Sequence, residues 1–559
     1  MAKAEKYLTF LTGLCLLALM QSCGIQGSLN HAPETTGYNT NIPERVKLND
    51  TTFIAGNNFL LKNKYGLWEL YAEGDPLERG LVTGRLTEEL YKKQETVFME
   101  KISTLVPSPG QRNFLRKFLN WYNRKMYRFI AEEYKSEIYG VSRYASDDFN
   151  SLAPPYLRAL YLHAAHDIGH ALQDLVLVGC TSFAVWGDKS KDGNLLIGRN
   201  FDFYAGDAFA EEKIVAFVNP DQGYKFMSVT WGGMIGVVSG MNEKGLTVTI
   251  NAGKSRIPLV AKTPISIVTR EILQYASTID EAIAIAEKKE VFVSEAIMVG
   301  SKADGKAVLI EMSPNNFGVF EVQNSSELIC SNHFQSEAYE NDKRNKMTQL
   351  ESHSVYRFRR MEQLLEEQDR VDPSKAVNIL RNRMGLDDVA IGHGNEKALN
   401  QLLAHHGIVF QPESLRVWVS ANPYQLGAFV GYDLKEVFGE RENNPATTTL
   451  ALKNRTIPAD PFLKTEAYAA YERYRELETR AELFLQGREA MAEQDAEALI
   501  ENNPEYWKAY YLAGRYYYEM ENFHLAERKF RRAAALEIAS VPEREEVEKY
   551  LRKSERKAK

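Results

Sequence analysis

Cys180 is the residue in this chain whose neighbours most clearly suggest chemistry. It stands between two short apolar runs, a setting that is by default typical of a buried structural thiol. Gly179, directly before Cys180, has no side chain and leaves its own carbonyl sterically open. Arg199 and Asp202 follow one predicted β-hairpin later, so pairing of the two strands returns both charges to the cysteine.

Charges beside a thiol change what the thiol can do. A cation such as Arg199 stabilises a thiolate, and a carboxylate such as Asp202 can orient an amine or bind its proton. Nucleophilic thiol chemistry is therefore one interpretation of this cluster. From these residues alone, the structural interpretation of Cys180 stays open.

Further motifs follow in a fixed order along the chain. They are Gly179-Cys180-Thr181-Ser182, Gly198-Arg199-Asn200-Phe201-Asp202, Gly240-Met241-Asn242-Glu243-Lys244-Gly245-Leu246, Ile250-Asn251-Ala252, Ser331-Asn332-His333-Phe334 and Ser354-Val355-Tyr356-Arg357. Together they resemble the cysteine type of N-terminal nucleophile (Ntn) hydrolase, in the branch of acyl-coenzyme A:6-aminopenicillanate acyltransferase. Choloylglycine hydrolases and acid ceramidase are related to that branch. The segment from Gly74 to Gly84 resembles the branch's propeptide glycine motif, and the resemblance covers roughly residues 50–437.

This resemblance implies a zymogen that cleaves itself between Gly179 and Cys180. The Cys180 thiol would attack the Gly179 carbonyl, shift the acyl group from nitrogen to sulfur, and release the upstream chain by hydrolysis. The new α-amine, with a pKa of about 7.7–8, would serve as base for its own thiol. The thiolate would then form an acyl-enzyme; water gives hydrolysis, and an amine or thiol acceptor gives acyl transfer.

The resemblance also implies roles for the other catalytic residues. Asn251, with backbone amides, would hold the oxyanion, and Asn332 would hydrogen-bond the amine or the tetrahedral intermediate. Asp202 would orient the amine. Arg199 would bias the nucleophile towards thiolate, while Arg357 would brace the acids.

A histidine cluster offers a competing interpretation. His163, His166 and His170, with Asp167, lie on one side of a predicted helix, and imidazoles on one helical face can bind zinc. The zinc-protease motif places glutamate after the first of two histidines four residues apart, where this chain has Asp167. We expect no metal and no cofactor, and a helix that packs beside the cleavage site. A histidine-metal hydrolase remains the alternative.

The first 22 residues have the pattern of a bacterial lipoprotein signal. Lys3 and Lys6 precede an apolar run over 7–20, and Cys23 follows a small residue. Cleavage before Cys23 would allow lipid, with acyl chains such as palmitate, to anchor the protein to a membrane. Because Gly24 supplies no retention acid, we expect the outer membrane of the cell envelope, on its periplasmic or surface face.

The 559 residues are long enough for several domains, and the predicted fold class is α+β. We expect a four-layer αββα sandwich with a helical prosegment and a helical tail. The predicted domains are a signal peptide (1–22), a tether (23–50), a prosegment (51–179), a catalytic domain (180–438), a linker (439–464) and a helical domain (465–559). In the tail, the small and aromatic positions of a tetratricopeptide unit are matched by Gly514, Tyr517, Ala526, Phe530 and Ala533.

These patterns predict a self-processing amidohydrolase or acyltransferase acting on a small-molecule linear amide or N-acyl substrate. Coenzyme A thioesters are scarce outside the cytoplasm, which favours hydrolysis over transfer. The net charge of −7 argues against nucleic acid as the main partner. The alternative is a lipid-anchored binding or scaffold protein with a vestigial hydrolase domain, whose tail docks a protein partner. The sequence leaves the acyl and amine parts of the substrate open.

Overall fold

The computed structural model describes residues 25–164, 167, 179–203, 205–254, 260–439 and 448–559. The strands are β1 (Val46–Asn49), β2 (Thr52–Ala55), β3 (Asn58–Lys62), β4 (Trp68–Gly74), β5 (Thr181–Val185), β6 (Leu196–Phe201), β7 (Ile214–Pro220), β8 (Phe226–Thr230), β9 (Ser239–Asn242), β10 (Leu246–Ala252), β11 (Glu295–Ser301), β12 (Lys306–Ser313), β13 (Asn316–Phe320), β14 (Glu327–Cys330), β15 (His406–Gln411), β16 (Arg416–Ser420) and β17 (Phe429–Asp433). The α-helices are α1 (Pro76–Leu86), α2 (Glu88–Leu105), α3 (Pro109–Tyr122), α4 (Glu132–Ser142), α5 (Pro155–His163), α6 (Asp207–Glu211), α7 (Ile265–Tyr275), α8 (Ile279–Glu287), α9 (Lys343–Glu351), α10 (Ser354–Glu366), α11 (Pro373–Leu380), α12 (Leu434–Phe438), α13 (Glu466–Leu485), α14 (Glu493–Asn502), α15 (Trp507–Glu519), α16 (Phe523–Ala534) and α17 (Val541–Lys557). This mixed content confirms the predicted α+β class.

The described strands form two sheets. The larger has 11 strands in the order β1-β2-β3-β4-β7-β8-β9-β10-β11-β12-β13, and the smaller has six in the order β14-β5-β6-β15-β16-β17. Neighbouring strands are antiparallel except β4 and β7, which are parallel. Cys180 immediately precedes β5, so the candidate nucleophile lies at the start of a strand inside the smaller sheet.

Alternation of apolar side chains along the strands divides the core into layers. In β5, Ala184 faces the cluster between the two sheets, while Phe183 and Val185 face α10 and α11 on the other side. The far face of the larger sheet packs on residues of α1, α4, α5, α7 and α8. The resulting order is helices, larger sheet, smaller sheet, helices.

The prediction of a helical prosegment is wrong for its first part. Residues 46–74 form the four strands β1–β4, and β4 pairs with β7 from Trp68 opposite Ile214 to Gly74 opposite Pro220. Short apolar runs such as 59–61 are better suited to a strand buried on both faces than to a helix. Residues 46–74 are therefore part of the larger sheet and are hydrogen-bonded to a strand that follows Gly179 in the chain.

The upstream glycines allow α1 and α4 to pack closely. A β-carbon on Gly80 would lie 2.1 Å from the Glu137 carbonyl oxygen, and one on Gly84 would lie 2.9 Å from that of Val141. Neither distance is compatible with a side chain. The glycine motif thus serves helix packing inside the prosegment.

Helices α13–α17 pack together at the C-terminal end and also contact the body of the protein. Lys397 Nζ lies 2.6 Å from a Glu537 carboxylate oxygen, and Arg475 donates to Asp207 at 2.7 Å. The segment before the tail is also bound, because the backbone N–H of Leu450 donates to Glu69. Among the helices in the described part of the chain, none combines the length and apolarity needed to cross a bilayer.

Candidate active site

The β5–β6 hairpin brings Arg199 to Cys180 as the sequence predicts. The strands pair with Ser182 opposite Arg199 and Thr181 opposite Asn200. Cys180 is fully buried, and Arg199 Nη2 donates to its Sγ at 3.6 Å. A cationic donor thus faces the thiol.

Burial, rather than the neighbouring cation, decides the protonation state of Cys180. Burial raises the pKa of the thiol to about 11, although Arg199 and the backbone N–H of Asp202 act in the opposite direction. At neutral pH the Cys180 thiol is therefore protonated. A nearby base is needed to make it a strong nucleophile.

Arg199 is held rigidly in this position. Its guanidinium donates to the carbonyl oxygens of Val238, at 3.2 Å, and Ile250, and to the Ser239 hydroxyl. The group also lies over the Phe201 ring, 4.2 Å from the ring centre. These contacts fix the distance between its charge and the thiol.

Arg357, in the first turn of α10, binds the backbone on both sides of the candidate cleavage point. Its Nη1 donates to the carbonyl oxygens of Gly179 at 3.2 Å and Cys180 at 2.8 Å. Nη1 also reaches the Thr181 hydroxyl, and Nη2 donates to the Asn332 side-chain oxygen. Among the described residues, Arg357 makes no direct contact with a carboxylate. The predicted support of the acids is therefore limited to the effect of its positive charge, which lowers the pKa of Asp202.

The Gly179 peptide group is held from several directions. Its N–H donates to the Asp202 carbonyl oxygen at 3.1 Å. Its own carbonyl oxygen accepts from Arg357 and also from Gln401 Nε2 at 3.3 Å. A β-carbon at this position would lie only 2.6 Å from Gln401 Nε2. A side chain at position 179 would therefore displace the Gln401 amide from the Gly179 carbonyl.

The Asp202 carboxyl group is buried and only partly hydrogen-bonded. Oδ1 accepts from Gln425 Nε2 at 3.1 Å, whereas Oδ2 has no hydrogen-bond partner among the described residues. Burial raises the pKa of the carboxyl to about 7, against the opposing effects of Arg357, Gln425 and Arg199. Asp202 can thus exchange a proton near neutral pH.

The two predicted asparagines are brought to the site, but their amides are occupied. Asn251 Nδ2 donates to the carbonyl oxygens of Cys330 at 3.2 Å and Ser331 at 3.3 Å. The Ser182 hydroxyl donates to its Oδ1 at 2.7 Å. Asn332 Nδ2 donates to the Ala252 carbonyl oxygen at 2.9 Å. The donors on the Gly179 carbonyl come from other residues, Arg357 and Gln401.

The histidine alternative involves residues that are only partly described. His163 uses both ring nitrogens on backbone groups: Nδ1 lies 2.7 Å from the Ala159 carbonyl oxygen, and Nε2 accepts from the Ile235 N–H at 2.9 Å. His166 and His170 lie outside the described residues, as does the lipidation candidate Cys23. Across the described ranges, no group of three or more potential ligand residues is arranged for a metal ion.

Aromatic rings form a buried cluster next to Asp202. Phe201, Phe203 and Trp231 stack on one another, and the rings of Phe209 and His405 lie 5.1 and 5.4 Å from that of Trp231.

Two site residues, Gln401 and Gln425, were missed by sequence reasoning. The only sequence signal for Gln401 is a pair of polar amides, Asn400 and Gln401, inside the otherwise apolar run 398–404.

Comparisons with known proteins match parts of this chain. Residues 189–423 match the model of the acyl-coenzyme A:6-aminopenicillanic acid acyl-transferase family. That range contains Arg199, Asp202, Asn251, Asn332 and Arg357 but begins after Cys180. An uncharacterized protein of Archaeoglobus fulgidus is 24% identical over 277 residues, 45% of each chain, so this chain spans about half the length of that relative.

Two solved structures also align with the chain. One is the Caenorhabditis elegans ortholog of N-acylethanolamine-hydrolyzing acid amidase, with 17% identity, 42% of this chain and 93% of that chain covered, and a TM-score of 0.31. The other is a conjugated bile acid hydrolase from Clostridium perfringens, which is 16% identical. The alignment covers 49% of this chain and 96% of that chain, with a TM-score of 0.32. The family match, over less than half of the chain, supports an enzyme similar to acyl-transferases.

Proposed function

We propose that this protein is a self-processing amidohydrolase or acyltransferase whose nucleophile is the thiol of Cys180. The observation that carries the proposal is the convergence of two arginines on one peptide bond. Arg199 faces the thiol, and Arg357 donates to the carbonyl that the thiol would attack. This arrangement matches what an acyl shift at Gly179–Cys180 needs.

The first reaction is cleavage of the chain by its own cysteine. A carbon–sulfur bond forms between the Gly179 carbonyl carbon and Cys180 Sγ, and the Gly179–Cys180 carbon–nitrogen bond breaks. The thiol proton ends on the departing nitrogen, which becomes the α-amine of Cys180. Water then hydrolyses the thioester, giving a Gly179 carboxylate and the free thiol.

The second reaction acts on substrate. The new α-amine deprotonates the Cys180 thiol, with Asp202 orienting the amine and Arg199 stabilising the thiolate. Attack on an amide carbonyl gives an acyl-enzyme, and protonation by the amine releases the substrate's own amine. Asn251 and Asn332, freed from their present partners, would hold the oxyanion. Water completes hydrolysis, and an acceptor amine or thiol completes transfer.

The substrate we propose is a linear amide with an apolar acyl group. The cluster of Phe201, Phe203, Phe209 and Trp231 supports this choice, since apolar walls beside a few polar groups are typical of small-molecule sites. Hydrolysis is favoured over transfer if the protein is extracytoplasmic. The layered core fits the αββα sandwich of Ntn hydrolases, and the tail fits one or two tetratricopeptide-like units that pack on the body and could also dock a protein.

Replacing Cys180 with alanine is the direct test. Wild-type protein is expected to give two fragments meeting at Gly179/Cys180, and the Cys180→Ala variant one uncut chain, by intact mass and gel analysis. Cys330→Ala, which alters a second buried thiol, serves as control and should be cut. Chelators should not affect cleavage, in contrast to the histidine-metal alternative. If wild-type protein stays uncut and no fragment begins at Cys180, the alternative of a lipid-anchored binding or scaffold protein is favoured.

We also propose that Cys23 carries the lipid that holds the enzyme in the cell envelope, at the outer membrane. The support is the sequence pattern before Cys23. In bacteria fed a palmitate analogue, wild-type protein should take up label and fractionate with membranes. The Cys23→Ser variant should do neither, because it lacks the acceptor thiol. Equal labelling of both proteins would refute the assignment.

A further inference from the structure

We propose that Gln401 is a catalytic residue of the self-cleavage reaction, and that the C-terminal helices hold it in position. The inference rests on the proposed function, because it concerns the same Gly179–Cys180 bond. Gln401 Nε2 donates to the Gly179 carbonyl oxygen at 3.3 Å, on the group where negative charge develops when the thiol attacks. Together with Arg357, it supplies two donors to one oxygen.

The orientation of the Gln401 amide is fixed by a second hydrogen bond. Nε2 also donates to the Glu396 carbonyl oxygen at 3.2 Å, so both of its hydrogens point at carbonyl groups. Gln401 is 3% exposed. A donor fixed in this way before reaction stabilises an oxyanion without reorganisation, and loss of one such donor costs on the order of 10²–10³ in rate.

This donor pair is separate from the donors expected to act on substrate. Asn251 directs its amide to Cys330 and Ser331, and Asn332 directs its amide to Ala252. In the uncut chain neither amide is directed at Gly179, whose carbonyl accepts from Arg357 and Gln401. The structure therefore assigns the stabilisation of the first oxyanion to donors other than Asn251 and Asn332, the two residues expected to hold the oxyanion formed on substrate.

The segment 391–402, which carries Gln401, is fastened to the tail at several points. The backbone N–H of His393 donates to Asn503 Oδ1 at 3.0 Å, and Asn503 Nδ2 returns a bond to the His393 carbonyl oxygen at 2.8 Å. Asn395 Nδ2 donates to the Glu537 carbonyl oxygen at 2.9 Å, and the Tyr471 hydroxyl donates to the Leu402 carbonyl oxygen. Helices beginning some 65 residues beyond Gln401 thus brace the segment that presents it.

The rate of self-cleavage in full-length protein tests the proposal. Cell-free translation followed by a chase on gels should show Gln401→Ala cutting roughly 10²-fold more slowly than wild type. Gln401→Glu should be at least as slow, because a carboxylate cannot donate and repels the developing oxyanion. Gln411→Ala, at a glutamine that bonds Asp192 elsewhere on the surface, should cut at the wild-type rate. Circular dichroism melting checks that each precursor folds.

Asn503→Ala tests the link to the tail. It should slow cleavage several-fold in wild type but add little in the Gln401→Ala background, since both changes act through the same donor. Additive effects would refute the positioning role of the tail. If wild type is cut while Gln401→Ala is cut equally fast, the role of Gln401 is wrong and the proposed function stands. If wild type is not cut at Gly179–Cys180, the proposed function itself is wrong.

Discussion

Arg357→Lys is expected to accumulate as uncut precursor, with self-cleavage slowed at least 10²-fold. Lysine keeps the positive charge but has one compact ammonium in place of a planar fork of five donors. Arg357 uses that fork on the carbonyl oxygens of Gly179 and Cys180 and on the side chain of Asn332 at the same time. Removal of a single oxyanion donor already costs about 10²–10³ in rate.

The conservative change separates geometry from charge. Because the charge stays near Asp202, the pKa of that carboxyl should change little, and a loss of rate can be attributed to the lost hydrogen bonds. Arg359→Lys is the matched control, since Arg359 is exposed on the same helix. The measurement is the first-order rate of precursor loss. Cleavage at the wild-type rate in Arg357→Lys would show that the hydrogen bonds made by the Arg357 guanidinium are not needed for self-cleavage.

The part of the site that is local in the chain could be predicted from the sequence. Arg199 reaches Cys180 because both lie on one hairpin, whose pairing follows from two apolar runs and a turn. Ordered motifs likewise identified Arg357 and Asn332, which the structure joins by a hydrogen bond. Their order along the chain, however, does not reveal which atoms they bind. Asn251 is an example, since its amide is directed to Cys330 and Ser331.

Contacts between distant segments could not be predicted. Gln401 lies 222 residues from Gly179, on a segment with no motif of its own. Hydrogen bonds to the tail, and one from the Asn400 N–H to the Asn382 carbonyl oxygen, hold that segment at the site. The strands of the prosegment were missed for a related reason. Their apolar runs are short, and it is pairing with β7, more than 140 residues later, that makes β4 part of a sheet. Tertiary pairing, rather than local propensity, decides such segments.

Asp202→Asn is expected to stabilise the precursor while it slows both reactions. Melting temperatures are measured in the Cys180→Ala background, in which the proteins with Asp202 and with Asn at that position both stay uncut. Burial raises the pKa of Asp202 from 3.8 to about 7. The folded chain therefore retains a proton that the unfolded chain releases above pH 4, and wild-type stability falls as pH rises through this window. A pKa shift of that size corresponds to a loss of at most about 4 kcal/mol in the free energy of unfolding above pH 7.

The sign of the stability change and its pH range distinguish this effect from the ordinary destabilisation caused by a mutation. Asparagine keeps an oxygen for Gln425 and does not ionise, so the gain in melting temperature should be small near pH 4, grow up to pH 7 and then level off. Most substitutions of a buried polar group destabilise at every pH. A variant less stable than its parent at pH 8 would contradict the buried-charge explanation. With Cys180 present, the same variant should cut slowly, because it loses a buried carboxyl group that can exchange a proton near neutral pH. It should also turn over amide substrate poorly, because the carboxylate that orients the new amine is gone. Higher stability combined with lower activity is what a buried charge retained for catalysis predicts.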